Sequence, residues 1–588
     1  MQDLIIKNAM IYDGTGALPQ LGQVAVKDGM IAAIGADCGA AKEIVDAEGM
    51  ALMPGIIDSH THYDAQITWD PLASPSPAMG VTTVVIGNCG FTIAPCRPQD
   101  RDLNLRNLTH VEGMSLDALR AGVDWSFETF PEFLNTLEQK GVGPNVAAFI
   151  GHSSVRTWVL GEDASKRAAT PAEVEQMRQI VIDGLKAGAV GFSTTTSYQH
   201  NGENGIPMPS RLADQHEFET LVGTLNEAQR GVFMLTKASD TTMAFLESLG
   251  QAAKRPMLVA AILHNPLVPT EVFDDMQGIA DARARGSDMY GAVSCCPLRF
   301  EFTMHEPYVF EALPSWAPAM KVHGEGAKAL FASTAFRQGV KNELAKVARR
   351  MFTGDWDKVH VAMVANQKNK ALEGKSVEEL AAIDKKHPLD WMLDFALSED
   401  LNTVFTAVLL NWDEAEVSRL LMDPNALVSL SDAGAHLTFL CDAAFGLHFM
   451  GHWSRDKGLL PLPQAVKRIT SDQAKFFGIK NRGVLKAGAH ADMLLFDPKV
   501  VGRGEGMRLF DLPAGGSRLS TSSKGLHGVW VNGTKIADGK GLLGDAGRPG
   551  KLLREFQHYA FDLSSPRRRG SIWPFNLQRP YEFPPSRE

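Results

Sequence analysis

Two histidines two residues apart are the most chemically suggestive feature of the sequence. His60 and His62 end the segment Pro-Gly-Ile-Ile-Asp-Ser-His-Thr-His at residues 54–62. On a strand, residues i and i+2 point to the same face, so both imidazoles could bind one metal ion. A His-x-His motif alone is weak evidence for a metal site. The evidence is stronger when the motif lies at the carboxyl end of an apolar strand, because (β/α)₈ barrel enzymes have their active sites at that end of the barrel.

A cysteine lies in a comparable position further along the chain. Cys89 follows the apolar run 81–86 and is preceded by Gly87 and followed by Gly90. The glycines let the backbone bend, so a thiolate could face a metal ion. The alternative is a small apolar side chain at the rim of a barrel, and the two histidines favour the metal role.

Further polar residues follow other predicted strands. They are His152, Arg156, Tyr198, Lys237, His264 and Asp432. An aspartate beside a bound metal ion stays ionised, so Asp432 could bind the ion or transfer a proton from a water ligand. It could also simply form a turn before Gly434. Together these residues predict a polar site at one face of the fold.

The middle of the chain alternates apolar strands with helical stretches, which is typical of an α/β fold with a parallel sheet. Eight strands are predicted, the number that closes a (β/α)₈ TIM-like barrel. They span residues 53–59, 82–88, 145–151, 189–194, 232–236, 257–263, 289–294 and 426–431. About 130 residues separate the last two, far more than a βα loop needs. We expect this insertion, residues 297–425, to hold extra helices over the barrel mouth.

Both chain ends have a different, all-β pattern. Short strands with hairpin turns are predicted in residues 1–54 and 480–554, flanking a barrel of residues 55–479. Residues 555–588 are basic, Pro-rich and aromatic. We expect them to form an arm that packs on the body or on a second subunit in a homo-oligomer; a frayed terminus is the alternative.

The composition of the 588 residues limits the remaining possibilities. Hydrophobic residues make up 44%, and the formal net charge of −10 argues against nucleic acid as a partner. Six cysteines suit a reducing compartment. No signal peptide or membrane span is predicted, so we expect a cytoplasmic protein without a membrane partner. P-loop and dinucleotide motifs are absent, and residues 191–195 lack the second glycine of a nucleophile elbow.

Taken together, these motifs resemble the amidohydrolase superfamily and, within it, the N-acyl-D-amino-acid deacylase (D-aminoacylase) family. The resemblance covers residues 3 to about 554. It rests on the segment 54–62, Gly-Val-Thr-Thr at 80–83, Gly-Asn-Cys-Gly at 87–90, Gly151-His152 with Arg156, residues 188–194, Ser431-Asp432 and Val-Asn-Gly at 531–533. It implies a metal-bearing (β/α)₈ barrel with a small β-sandwich built from both chain ends.

The resemblance also implies roles for individual residues. His60, His62 and Asp432 would hold one metal position, and Cys89 would serve another. Zinc suits imidazole and thiolate ligands, so one or two zinc ions are expected. Metal-activated water would attack an amide carbonyl, with Asp432 as general base and acid. His152 would assist, and Tyr198 and Arg156 would bind substrate.

Lys237 departs from the family pattern, in which the fifth strand ends in Thr-His. An unmodified lysine is a poor metal ligand because it is protonated near neutral pH. Two hypotheses follow: Lys237 is carboxylated and bound to metal, or it is an amine beside a single ion. His264 is a further candidate ligand, in an uncertain register.

Two cations of the family pattern are also missing. The sixth strand reads Leu263-His264-Asn265 without the family's lysine, and His436-Leu437-Thr438 replaces the family's His-Pro-Arg. Because such cations bind substrate carboxylates, a less charged amide becomes a plausible substrate.

The sequence thus predicts a metal-dependent hydrolase of a carbon–nitrogen bond in a small amide, such as an N-acyl amino acid. The alternatives are a cyclic-amide hydrolase of hydantoinase type at the same metal centre, and a non-catalytic homologue that binds a small ligand.

Overall fold

The computed structural model describes residues 1–111, 113–311, 313–435 and 442–557. Its strands, in chain order, are β1 (Gln2–Ile11), β2 (Gln20–Lys27), β3 (Met30–Gly35), β4 (Ala41–Asp46), β5 (Ala51–Pro54), β6 (Ile56–Asp58), β7 (Val81–Ile86), β8 (Asn145–Gly151), β9 (Gly191–Thr195), β10 (Val232–Thr236), β11 (Met257–Ile262), β12 (Met289–Val293), β13 (Leu298–Phe302), β14 (Val359–Met363), β15 (Val404–Leu410), β16 (Ala426–Val428), β17 (Met493–Phe496), β18 (Gly502–Leu509), β19 (Arg518–Lys524), β20 (Leu526–Val531), β21 (Thr534–Asp538) and β22 (Gly541–Leu542).

The helices are α1 (Arg101–Val111), α2 (Leu116–Gly122), α3 (Phe130–Lys140), α4 (His152–Leu160), α5 (Pro171–Ala187), α6 (Gln215–Glu227), α7 (Met243–Ala253), α8 (Glu271–Ala284), α9 (Gly324–Ala332), α10 (Thr334–Leu344), α11 (Val377–Ile383), α12 (Pro388–Ser398), α13 (Glu414–Met422), α14 (Phe445–His448), α15 (Leu462–Ile469) and α16 (Ser471–Phe477). Helix α5 shows how the sequence sets its ends. Thr170 and Glu173 form a capping box at its start, and Gly188 ends it at φ +117°.

Strands β6 to β12 and β16 form a parallel eight-stranded sheet in the order β16-β12-β11-β10-β9-β8-β7-β6. The sheet closes between its outer strands, where the Ser59 and Ser429 hydroxyls lie 2.9 Å apart and the His62 amide donates to the Ala433 carbonyl over 2.7 Å. The predicted (β/α)₈ TIM-like barrel is confirmed. The predicted first strand, however, divides at Gly55, and its first half is part of another sheet as β5.

That other sheet contains both ends of the chain. Its path is β22-β21-β20-β17-β5-β1-β2-β3, with β4 paired to β1. Strand β5 lies between β1 and β17, so residues more than 400 positions apart in sequence pair through it. A separate cluster of apolar side chains, including Ile6, Val24, Leu52 and Trp530, forms its core. The predicted β-domain from both termini is confirmed.

The insertion contains more than the predicted helices. Besides α9 to α13 it has a three-stranded antiparallel sheet in the order β13-β15-β14. In β15, residues alternate between buried and half-buried, a period-two signal in 404–410 that sequence reasoning missed. Phe302, Phe310, Trp316 and Phe405 belong to a core separate from that of the barrel.

The predicted C-terminal arm falls mostly outside the described residues, which end at Gln557. Just before that point, the Gln557 amide donates to the Gly478 carbonyl over 2.8 Å. Among the residues that the structure describes, no helix is both long enough and apolar enough to cross a membrane. The five cysteines in the described ranges are all free.

Candidate metal centre and active site

The two histidines and the cysteine come together at the carboxyl ends of neighbouring barrel strands. His60 and His62 follow β6, and Cys89 follows β7. One ligand atom from each lies within 4.8 Å of the others. The Cys89 sulfur is 3.5 Å from Nε2 of His60, and all three side chains are buried. Two imidazoles and a thiol at this spacing can share a single metal ion.

The local backbone positions the thiol. Gly87 has φ +82°, and a Cβ there would lie 2.7 Å from the Phe149 carbonyl oxygen, so only glycine fits. Cys89 itself has φ +58°, an uncommon value for a residue with a side chain. The Thr236 hydroxyl lies 3.2 Å from its sulfur. Burial raises the pKa of the thiol, but His60 and His62 outweigh burial and lower it to about 7.

Asp432 completes the cluster from the last barrel strand. Its Oδ1 atom is 3.3 Å from Nε2 of His60 and 3.6 Å from Nε2 of His62. The side chain is 30% exposed, so it also faces open space. Burial acts to raise the pKa of Asp432, but hydrogen bonding from His62 and the charge of His60 hold it below its usual value. The carboxylate is therefore ionised and reachable by a small molecule.

These four residues lie in the wall of a cavity of about 440 Å³. His200 is a further cavity residue that sequence reasoning missed. Its Nδ1 is 2.7 Å from the Thr195 hydroxyl, and burial lowers its pKa to about 3, so the ring is neutral. His200 lies two residues after Tyr198, in the loop that follows β9. A polar residue in that loop was the available signal in the sequence.

Lys237 also lines the cavity, but it has a partner of its own. Its Nζ atom lies 2.8 Å from Oδ2 of Asp275 on α8, and both side chains are largely buried. A carboxylated lysine would place a second negative group against Asp275. The structure thus places Lys237 in the cavity wall beside Asp275, and its metal role stays a prediction.

His264 lies outside the metal cluster, contrary to its predicted ligand role. Its neighbours Leu263 and Asn265 line the cavity, while His264 does not. Successive residues of an extended chain point to opposite sides, which explains the difference. Its backbone is fixed by Asn411, and its ring centroid lies 6.4 Å from that of Phe273.

His152 and Arg156, predicted to assist catalysis and to bind substrate, lie apart from the cavity. His152 is fully buried, with Nδ1 2.8 Å from the Thr194 hydroxyl and Nε2 2.7 Å from the Glu217 carboxylate. Arg156, one helical turn further along α4, donates to the other oxygen of Glu217. Neither residue lines the cavity. This closed cluster holds α4 and α6 together, and it has no contact with the space where a substrate would bind.

Tyr198 lies at the cavity, as its predicted role requires, and its side chain is 54% exposed. Its hydroxyl donates to the Asp240 carboxylate over 2.6 Å. The hydroxyl is therefore already engaged at the rim. His436, part of the predicted departure after Asp432, lies outside the described residues.

Comparisons with known proteins agree with this architecture. The model of the amidohydrolase family matches residues 43–533. An uncharacterized protein of Mycobacterium tuberculosis is 29% identical over 84% of each chain. An N-acyl-D-aspartate deacylase of Alcaligenes xylosoxydans xylosoxydans is 28% identical over 94% of this chain and 95% of its own. A crystal structure of N-acyl-D-glutamate deacylase from Bordetella bronchiseptica, complexed with zinc and a phosphonate inhibitor, is 24% identical over 94% of this chain and all of its own, with a TM-score of 0.63.

The chain belongs to the amidohydrolase family. The resemblance inferred from its motifs is thereby confirmed, and so is the predicted class of hydrolases acting on carbon–nitrogen bonds other than peptide bonds.

Proposed function

We propose that this protein is a metal-dependent hydrolase that cleaves an amide bond of a small molecule at the mouth of its barrel. The observation that carries the proposal is the convergence of His60, His62 and Cys89 within 4.8 Å, beside the Asp432 carboxylate. The cavity that contains them is large enough for a small organic substrate.

The donor set fits zinc. Imidazole nitrogens and a thiolate are its common ligands, whereas magnesium and calcium prefer oxygen. One ion would be held by His60, His62 and Cys89. Two further candidate ligands do not join them: Lys237 is paired with Asp275, and His264 lies outside the cluster. A bound zinc ion would lower the pKa of a water ligand to about 7 and polarise the substrate carbonyl.

Asp432 is the proton-transfer group in this proposal. Its carboxylate is ionised, so it can accept a proton from water as the oxygen attacks the amide carbon. It can then return the proton to the leaving nitrogen when the carbon–nitrogen bond breaks. The products are a carboxylic acid and an amine. His152, with both ring nitrogens engaged by Thr194 and Glu217, takes no part.

Metal analysis and a substrate panel test the proposal. We expect one zinc ion per chain, an intact mass without carboxylation, and hydrolysis that chelation abolishes and zinc restores. The panel should include N-acyl amino acids of both hands, neutral aryl and alkyl amides, and cyclic amides. Failure to bind zinc, or no turnover of any amide after zinc or manganese loading, would instead support a protein that only binds a small ligand.

A further inference from the structure

The lysine and arginine side chains in the cavity wall are engaged by other groups of the protein. Among its described wall residues the basic side chains are Lys237, Arg349 and Arg350. Lys237 is paired with Asp275 at 2.8 Å, and the two side chains are only 7% and 14% exposed. Arg349 is paired with Glu271, the first residue of α8, at 2.9 Å. Two of the three cations thus face carboxylates of the same helix.

The Arg350 side chain is hydrogen-bonded to backbone carbonyls. Its guanidinium donates to the carbonyls of Leu344, Lys346 and Phe352 at 2.9, 2.7 and 2.9 Å. Asn265, at the cavity wall, donates in turn to the Arg350 carbonyl over 3.0 Å. The arginine therefore ties the loop after α10 to the barrel, and its donors are directed into that loop.

The rest of the wall has acidic, neutral polar and apolar side chains. Besides Glu271 and Asp275 it contains Glu311 and Asp432, so carboxylates outnumber basic side chains among the described wall residues. Apolar side chains cover much of the remainder, including Phe91, Leu263, Val268, Phe300 and Met351.

We propose that the substrate is an amide without a carboxylate, with an uncharged, largely apolar body. This inference rests on the proposed amide hydrolysis and names its substrate class. A carboxylate in this cavity would have to compete with Asp275 for Lys237 or with Glu271 for Arg349, or lie near acidic side chains without a cation, and like charges oppose these arrangements. Arg299 borders the smaller adjoining cavity instead. An uncharged amide meets apolar walls and leaves both ion pairs intact.

Two ligands that differ by one carboxylate test the proposal. N-acetyl-2-phenylethylamine is N-acetylphenylalanine without its carboxyl group. We expect the zinc-loaded protein to bind the neutral amide about 100-fold more tightly than either enantiomer of the acid, by calorimetry. We expect the same preference in kcat/KM. Equal or tighter binding of either acid enantiomer would overturn the inference. Preferred binding of the neutral amide without its hydrolysis would keep the preference for an uncharged ligand but would contradict the proposed function, and with it the assignment of that ligand as a substrate.

A variant that removes one carboxylate tests whether the pairing of Lys237 with Asp275 causes the preference for an uncharged ligand. Asp275→Asn leaves the Lys237 ammonium without its carboxylate, so binding of the acid should tighten about tenfold, while binding of the neutral amide should stay within about twofold. Asp274→Asn is the matched control, because Asp274 is the exposed neighbour on the same helix and does not line the cavity. Acid binding that does not respond to Asp275→Asn in a folded variant would overturn the proposal. If that variant does not fold, the ligand pair on the unmodified protein still decides the question.

Discussion

Two polar clusters near the carboxyl ends of the barrel strands each contain histidine and a carboxylate, but their environments are opposite. His60, His62, Cys89 and Asp432 lie in the wall of a cavity of about 440 Å³. The other cluster, His152 with Arg156 and Glu217, is fully enclosed. In the enclosed cluster, Glu217 from α6 pairs with both basic side chains. In the open cluster the carboxylate is 30% exposed, and two imidazoles and a thiol face one another. Position in the barrel alone therefore does not mark a residue as functional.

The largest expected effect is a loss of activity when the open cluster, and not the enclosed one, is altered. Asp432→Asn keeps the size of the side chain but removes the proton acceptor, so kcat/KM should fall about 1,000-fold with little change in the free energy of unfolding. Amide hydrolysis by the zinc-loaded variant, alongside its urea denaturation curve, provides the measurement.

His152→Gln is the companion variant from the enclosed cluster. Because His152 does not line the cavity, kcat/KM of the folded variant should stay within about threefold of the unmodified protein. A loss as large as that of Asp432→Asn would show that the two clusters act together.

The second-largest expected effect is on stability, and here the enclosed cluster should matter more than the open one. Glu217→Gln removes a buried carboxylate and leaves the Arg156 charge without its counterion, which should lower the free energy of unfolding by about 3 kcal/mol. Glu227→Gln, at the end of the same helix, is the control. It breaks an ion pair with Arg178 in which the Glu227 side chain is 56% exposed, so its cost should be under about 1 kcal/mol. Similar costs in chemical denaturation would argue against the distinction.

The two clusters also show how far the sequence could be interpreted. The barrel and the β-domain were predictable because their strands carry strong apolar patterns and turn residues. His60, His62, Cys89 and Asp432 could be placed together because strand ends converge in a parallel barrel. The enclosed state of His152 could not be predicted, since its partner Glu217 lies 65 residues away on another element.

Contacts between distant elements also made the substrate cavity unpredictable from the sequence. Lys237 follows a strand as predicted, but its pairing with Asp275 depends on how α8 packs against the barrel. Arg349 and Arg350 come from the insertion. No repeating sequence pattern relates the insertion to the barrel strands, so the sequence could not place these arginines at the cavity. The β15 strand shows a different kind of miss, because its alternating pattern was present in the sequence.

A smaller effect examines how the open cluster is held. Thr236→Val removes the hydroxyl 3.2 Å from the Cys89 sulfur while keeping the shape of the side chain. Groups that orient metal ligands contribute to affinity, so zinc affinity should fall about tenfold. Competition with a chromogenic chelator gives the value. Thr241→Val, which loses a hydroxyl contact with Thr196 instead, is the control. Equal zinc affinity in both variants would mean that Thr236 does not position the thiol.

The smallest expected effect concerns pH and the enclosed cluster. Burial lowers the pKa of His152, although Glu217 acts in the opposite direction. The unfolded chain, with a histidine pKa near 6.5, therefore takes up a proton at His152 before the folded protein does. Because the unfolded state binds more protons, stability falls as the pH drops below about 6.5.

One histidine can contribute a slope of at most about 1.4 kcal/mol per pH unit. His152→Gln should remove part of the slope of unfolding free energy between about pH 6.5 and 5, measured by urea denaturation. Other histidines, such as His200 and His448, also have lowered pKa values and contribute to the total. The difference between the variant and the unmodified protein isolates His152. A steeper slope in the variant would mean that Glu217 holds His152 protonated when folded, and the enclosed cluster would then be a charged one.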